Sequence, residues 1–120
     1  DTGQFLAIQK AGAAVLNQAE ELIAPLRAIF ERRRDAGVRE FRSAGFEFDE
    51  PKATMYLWIQ LPHGGSSAEF AQQMLESQAV AVMPGSAFGA AGEGYFRIAL
   101  TVDTERLAEA GVRIGNEMKA

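Results

Sequence analysis

Cysteine is absent from the 120 residues, which rules out disulfides, thiolate nucleophiles and cysteine-ligated metals in this chain. A reducing cytoplasm is the expected setting. Histidine is nearly absent too. His63 stands alone, so neither a histidine metal cluster nor a serine–histidine–acid arrangement can be assembled around it, and it reads as a solvated loop residue. No apolar run approaches the roughly 18 residues needed to cross a bilayer. The basic start and apolar stretch of a signal peptide are also missing. Positive charge is in deficit, with a formal net charge of −4, and this argues against a nucleic-acid-binding surface. The one basic run, Arg32-Arg33-Arg34, is flanked by Glu31 and Asp35 and reads as a salt-bridged helix face. No Gly-x-Gly-x-x-Gly precedes a helix, and no glycine loop ends in Lys-Ser/Thr, so the nucleotide-binding signatures are lacking.

What remains is a chain of 48% apolar and 23% charged residues, the balance of one folded domain with a single core. Phe5, Ile8, Gly12, Leu16 and Ile23 recur at helical spacing and predict a helix over 4–24. Pro25 marks a kink or a new first turn. The pattern resumes from Leu26 through Phe41 and stops at Gly45, a suitable C-terminal cap. Phe46-Glu47-Phe48 is a short strand candidate. Residues 54–61 alternate cleanly: Met55, Leu57, Ile59 and Leu61 on one face, Thr54, Tyr56, Trp58 and Gln60 on the other. With two aromatics on it, the second face is expected to be covered as well, and Tyr56 and Trp58 are read as core. Ser66 and Glu69 form a capping box ahead of a helix carrying Phe70 and Met74. The plainer reading of Gly64-Gly65-Ser66-Ser67 is therefore a capped helix, not an anion site. Residues 79–83 read as a buried apolar strand. Asp103 caps a last helix with Leu107, Ile114 and Met118 inside. The fold class expected is α+β: long N-terminal helices, then a small sheet of three to four strands packed against helices.

Chemistry concentrates near Arg97. The glycine-rich Pro84-Gly85-Ser86-Ala87-Phe88-Gly89 is followed by Gly94-Tyr95-Phe96-Arg97-Ile98, where alternation puts Tyr95, Arg97 and Ala99 on one face. Glu93, between two glycines, reads as a solvated turn residue. A guanidinium offers a planar fork of donors that fits a carboxylate through paired hydrogen bonds. Spacing alone leaves two readings open: a solvated edge arginine, which is the commoner, and a carboxylate clamp at the mouth of a sheet.

Several segments, in order, resemble the C-terminal small domain of class I/II (fold-type I) pyridoxal-phosphate-dependent aminotransferases. Residues 1–11 are similar to that family's helix after the cofactor region. Phe30-Glu31-Arg32-Arg33-Arg34-Asp35 resembles its Tyr/Phe-x-x-Arg-Arg-Asp segment, and 51–58 its Pro-x-x-Thr/Ala-x-Tyr-x-Trp strand. The Pro-Gly-x-x-Phe-Gly and Gly-x-x-Arg-Ile pair at 84–89 and 94–98 is the most specific.

The resemblance implies that Arg97 binds the substrate α-carboxylate and that Phe88 lines the substrate pocket. It implies a parent homodimer exchanging an amino group between an amino acid and a 2-oxo acid. It further implies an interdomain helix over 1–24 leading from a large domain, and a small C-terminal domain over 25–120. The family's Schiff-base lysine lies upstream of the matched helix. Lys10, Lys52 and Lys119 all read as solvated surface charges. No catalytic or cofactor-binding residue is therefore expected in this piece, and pyridoxal phosphate would be bound by the large domain. The opening at Asp1, directly into a helical pattern, leads us to expect an excised domain, inactive alone and prone to self-association through an uncovered apolar face. Two alternatives share these features. One is a stand-alone α+β module that grips carboxylates; the other is a fold-type I lyase or a regulator with the same domain.

Overall fold

A computed structural model describes residues 3–118. Helix α1 (Leu6–Asn17) and helix α2 (Ala19–Ser43) are followed by strand β1 (Tyr56–Gln60), helix α3 (Ser67–Gln78) and a short strand β2 (Met83–Pro84). Two turns of 3-10 helix (Gly85–Phe88 and Ala90–Gly92), strand β3 (Tyr95–Ala99) and helix α4 (Thr104–Glu117) complete the chain. The sheet is antiparallel throughout, in the order β1-β3-β2. The fold is thus the α+β arrangement expected, with three strands.

The long helix breaks at Gln18 and not at Pro25, which lies inside the second turn of α2. Proline there leaves the Glu21 carbonyl without its i→i−4 donor, and the helix nevertheless continues past it to Ser43. Helix α1 buries no residue, and Phe5, Leu6, Ile8, Leu16, Leu22, Ile23 and Leu26 leave an apolar face open.

Helix α2 ends as its sequence dictates. Gly45 takes φ +97°, its N–H donates to the Arg42 carbonyl, and the Phe46 N–H donates to the Phe41 carbonyl. This paired C-terminal cap brings the two phenyl rings to 6.0 Å. Phe46 thus belongs to a helix cap, and 46–48 forms no strand. The apolar 79–83 run is also not a strand over its length. Ala79 closes α3 in the left-handed region at φ 53°, and Val80 and Val82 pack on the core from outside the ladder. Only Met83 and Pro84 pair with β3.

The core lies between one face of the sheet and α2, α3 and α4. Leu57, Ile59, Phe96 and Ile98 meet Val38, Phe41, Phe70, Met74, Leu107 and Ile114 in one buried cluster. Phe96 is at its centre, with ring centroids 4.8 Å from Phe70, 5.4 Å from Phe46 and 6.5 Å from Phe41. Burying one such ring stabilises the fold by roughly 1.5–3 kcal/mol. A one-residue slip of β3 would expel Phe96 and drive Arg97 inward, so register and site are fixed together. Helix α4 reaches α2 through two glycines: a Cβ on Gly111 would lie 3.0 Å from the Glu40 Cβ, and one on Gly115 2.8 Å from the Ala44 Cβ. Asp103 caps α4 by accepting from the Arg106 N–H at 2.9 Å, as expected.

Candidate functional site

The sheet face opposite the core carries Tyr56, Trp58 and Gln60 from β1 and Tyr95, Arg97 and Ala99 from β3. This face is open and not covered: Trp58 is 38% exposed. Tyr56 and Trp58 are therefore not core residues. Tyr56 lies against Arg97, and Trp58 against Tyr95 and Phe88.

Arg97 occupies the central strand, opposite Trp58 on one side and Met83 on the other. Its guanidinium carbon lies 4.1 Å from the Tyr56 ring centroid and 4.5 Å from that of Phe88. Trp58 stacks on Tyr95 at 5.6 Å with an interplanar angle of 16°, and meets Phe88 edge-on at 5.6 Å. Phe88 is brought in by the glycine-rich loop, so loop and sheet meet at Arg97. Among the described residues no carboxylate lies within 4.0 Å of its guanidinium, and the guanidinium donates no hydrogen bond. The guanidinium thus sits against two aromatic rings with no protein acceptor on its N–H groups among the described residues.

The basic run on α2 behaves differently. Arg34 pairs with Asp35 at 2.6 Å, and also approaches Glu31 and Glu50; Asp35, then the other two carboxylates, hold its pKa above the ordinary value. Arg33 donates to the Leu100 carbonyl at 3.3 Å and lies over the Phe30 ring. Arg33 and Arg34 thus have hydrogen-bond acceptors within the fold, whereas among the described residues Arg97 has only aromatic rings against it.

The loop bearing Phe88 is held by self-packing. Gly85 and Gly92 touch backbone to backbone: a Cβ on Gly85 would sit 2.0 Å from the Gly92 carbonyl oxygen, and one on Gly92 2.1 Å from that of Gly85. These two glycines therefore serve close approach within the loop. Ser67, fully buried, anchors the same loop, exchanging a 3.0 Å contact with the Ser86 hydroxyl and accepting from the Ser86 N–H at 3.1 Å.

Glu93 is not a free turn residue. Its carboxylate accepts from the Ser67 N–H at 2.6 Å and from the Gly94 N–H at 3.1 Å, tying the start of α3 to the start of β3. The Ser66 hydroxyl accepts from the Glu69 N–H at 3.3 Å, half of the capping box expected, and the carboxylate at this terminus is that of Glu93, on the Ser67 N–H, and not that of Glu69. The Ser67 N–H, then that of Gly94, hold the Glu93 pKa below the ordinary glutamate value. The sign follows. A depressed folded-state pKa stabilises the protein above the unfolded value and is lost as pH falls through the lowered one. In urea titrations, Glu93→Gln should therefore lower the midpoint at neutral pH, and the gap to wild type should close on the acid side of about pH 4. A gap of constant size down to acid pH would show that the carboxylate charge contributes nothing.

The remaining candidates are dispersed. His63 is exposed in the loop after β1, and Lys10 and Lys52 are exposed on α1 and in the connector before β1; Lys119 lies outside the described residues. No helix among the described residues is long and apolar enough to cross a membrane. The structure brings Arg97 and Phe88 together, with Tyr56 against Arg97 and Trp58 against Phe88, while Ser67 and Glu93 hold the ends of the intervening loop; the sequence pattern pointed to none of these last four. Alternation already put Tyr56 and Trp58 on one face; antiparallel pairing with β3 shows that Arg97 shares it. Ser67 and Glu93 left no periodic signal.

The family model for aminotransferases of class I and II matches residues 6–114. The chain is 46% identical over 114 residues to an LL-diaminopimelate aminotransferase of Moorella thermoacetica, covering 95% of this chain and 29% of that protein. It is 43% identical over 116 residues to the LL-diaminopimelate aminotransferase of Aquifex aeolicus, covering 97% of this chain and 30% of the relative. Among solved structures it superposes on a probable N-succinyldiaminopimelate aminotransferase of Thermus thermophilus with a TM-score of 0.88, at 32% identity, over 97% of this chain and 31% of the other. The chain thus spans about 30% of the length of the curated relatives it matches.

Proposed function

Because the chain belongs to the aminotransferase class I and II family, we propose that it supplies the substrate-carboxylate grip of a larger pyridoxal-phosphate-dependent transaminase. The observation that carries this reading is the unpaired guanidinium of Arg97 on the open sheet face, with Tyr56 and Phe88 against it. The larger protein would move an amino group between an amino acid and a 2-oxo acid, in the cytoplasm and as a homodimer. Residues 1–24 would lead from the large domain and 25–120 would form the small one, with the apolar face of α1 and early α2 meeting the rest of the enzyme.

Arg97 would take both oxygens of the substrate carboxylate on two of its N–H groups, fixing one end of the substrate and hence the direction of its Cα–H bond. Phe88 would wall the same space and exclude water. A domain that holds the carboxylate can also close with it. The described residues do not fit the cofactor. Lys10 and Lys52 are exposed on unrelated surfaces, and the glycine-rich loop is filled by its own backbone and not left open as a phosphate cradle. Pyridoxal phosphate would therefore be held elsewhere in the larger protein, and this chain alone would be inactive.

The test is a comparison of the full-length protein with the isolated chain. Supplied with amino donors, beginning with the LL-diaminopimelate of the relatives' names, the full-length protein should bleach its visible cofactor band and recover it with a 2-oxo acid. The isolated chain mixed with pyridoxal phosphate should hold no stoichiometric visible band. A full-length protein that transfers no amino group from any donor, or a chain that binds the cofactor one-to-one, would contradict the reading.

A further inference from the structure

Resting on the reading of Arg97 as the carboxylate grip, we infer that Tyr56 is a positioning residue for that grip, acting through its ring and not its hydroxyl. The antiparallel register pairs Arg97 with Trp58 and Ala99 with Tyr56. Trp58, directly opposite, is engaged elsewhere, stacked on Tyr95 and edge-on to Phe88. Tyr56, the diagonal neighbour, is the β1 ring that comes within 4.1 Å of the guanidinium carbon, closer than Phe88 at 4.5 Å. Tyr56 is itself half-buried, while its neighbour Met55 accepts from the Leu100 N–H at 2.8 Å. That bond continues the β1–β3 pairing past Tyr56, so the ring stands on backbone that is held at both ends.

An arginine side chain without a partner carries no fixed geometry of its own, because its long stem retains many rotamers. A ring against the guanidinium plane restricts those rotamers yet consumes none of the N–H donors, which radiate from the edge of the plane. The grip is thereby preorganised for a planar carboxylate approaching in that plane, and less ordering is left to be done on binding. Phe88 contributes a similar contact, but from a loop. Tyr56 contributes it from the sheet, where it remains in place if the loop moves.

The experiment is a kinetic series in the full-length enzyme: Tyr56→Phe, Tyr56→Leu, Tyr56→Met, Arg97→Ala, and the double variant Tyr56→Leu/Arg97→Ala, with folding checked by circular dichroism. Tyr56→Leu and Tyr56→Met should each raise the KM for the amino donor about tenfold, with kcat changed less than about twofold, and Tyr56→Phe should restore the wild-type KM. The double variant should be no worse than Arg97→Ala alone, because a residue acting through Arg97 has nothing left to act on. Tyr56→Met carries the test if the leucine variant does not fold. Wild-type KM in both ring-deleted variants, beside a raised KM in Arg97→Ala, would overturn the inference and leave the grip standing. Equal damage from Tyr56→Phe and Tyr56→Leu, or additive losses in the double variant, would also overturn it. Wild-type KM in Arg97→Ala would remove the grip itself, and this inference with it.

Discussion

Under the proposed function, Arg97→Ala in the full-length protein should raise the KM for the amino donor by roughly two orders of magnitude, because truncating one partner of a charged, hydrogen-bonded pair costs about 2–5 kcal/mol. Arg97→Lys should recover little: an ammonium supplies a point charge but not two parallel donors in one plane. Stability should hardly change in either variant. The core side of β3 carries Phe96 and Ile98, and Arg97 makes no ion pair within the described residues that its removal would break. Steady-state kinetics with thermal melts checks both halves. A wild-type kcat/KM in either variant would remove Arg97 from substrate binding, and a collapse of the melting temperature would place its role in the fold.

Gly92→Ala should be among the most damaging of the conservative changes, together with Gly85→Ala. The added methyl would lie 2.1 Å from the carbonyl oxygen of Gly85 and 2.7 Å from its carbonyl carbon. Both are backbone atoms, and the segment cannot retreat freely because the next residue, Ser86, is tied to the buried Ser67. Overpacking of this kind costs typically about 1–3 kcal/mol. For a domain of this size each kcal/mol lowers the melting temperature by about 4–8 °C. The displaced loop would also carry Phe88 away from Arg97, so substrate KM should rise together with the loss of stability. Gly12→Ala is the matching control. Nothing lies within 4 Å of a Cβ there, and alanine favours the helix by up to about 1 kcal/mol. Equal melting temperatures for Gly92→Ala and wild type would mean that the loop is not packed as described.

The parts of this architecture legible in the sequence are those that local chemistry dictates. Gly45, Ser66 and Asp103 each mark a helix terminus by a mechanism that needs no distant partner, and all three occupy those termini. The alternation around Leu57 and Phe96 marks β1 and the central strand β3, because a half-buried strand must repeat every two residues. What escaped depends on contacts between distant segments. The apolar 79–83 run satisfies a strand pattern, yet Val80 and Val82 are claimed by the core while Ala79 is spent closing α3. Glu93 looks like any acidic turn residue until α3 is folded against it, 26 positions away. At the site, Arg97 and Phe88 stood out through their motif. Tyr56 and Trp58 were misread because aromatic residues are usually buried; here they lie on the uncovered sheet face that Arg97 shares, Tyr56 half-buried and Trp58 exposed.

The most direct test of the proposed function is a crystal structure of the full-length protein with a carboxylate substrate analogue bound. The account requires two guanidinium nitrogens of Arg97 at about 2.7–2.9 Å from the two carboxylate oxygens, with the Tyr56 and Phe88 rings still against the guanidinium. A carboxylate held by other groups, with Arg97 turned to solvent or paired to an internal acid, would contradict it.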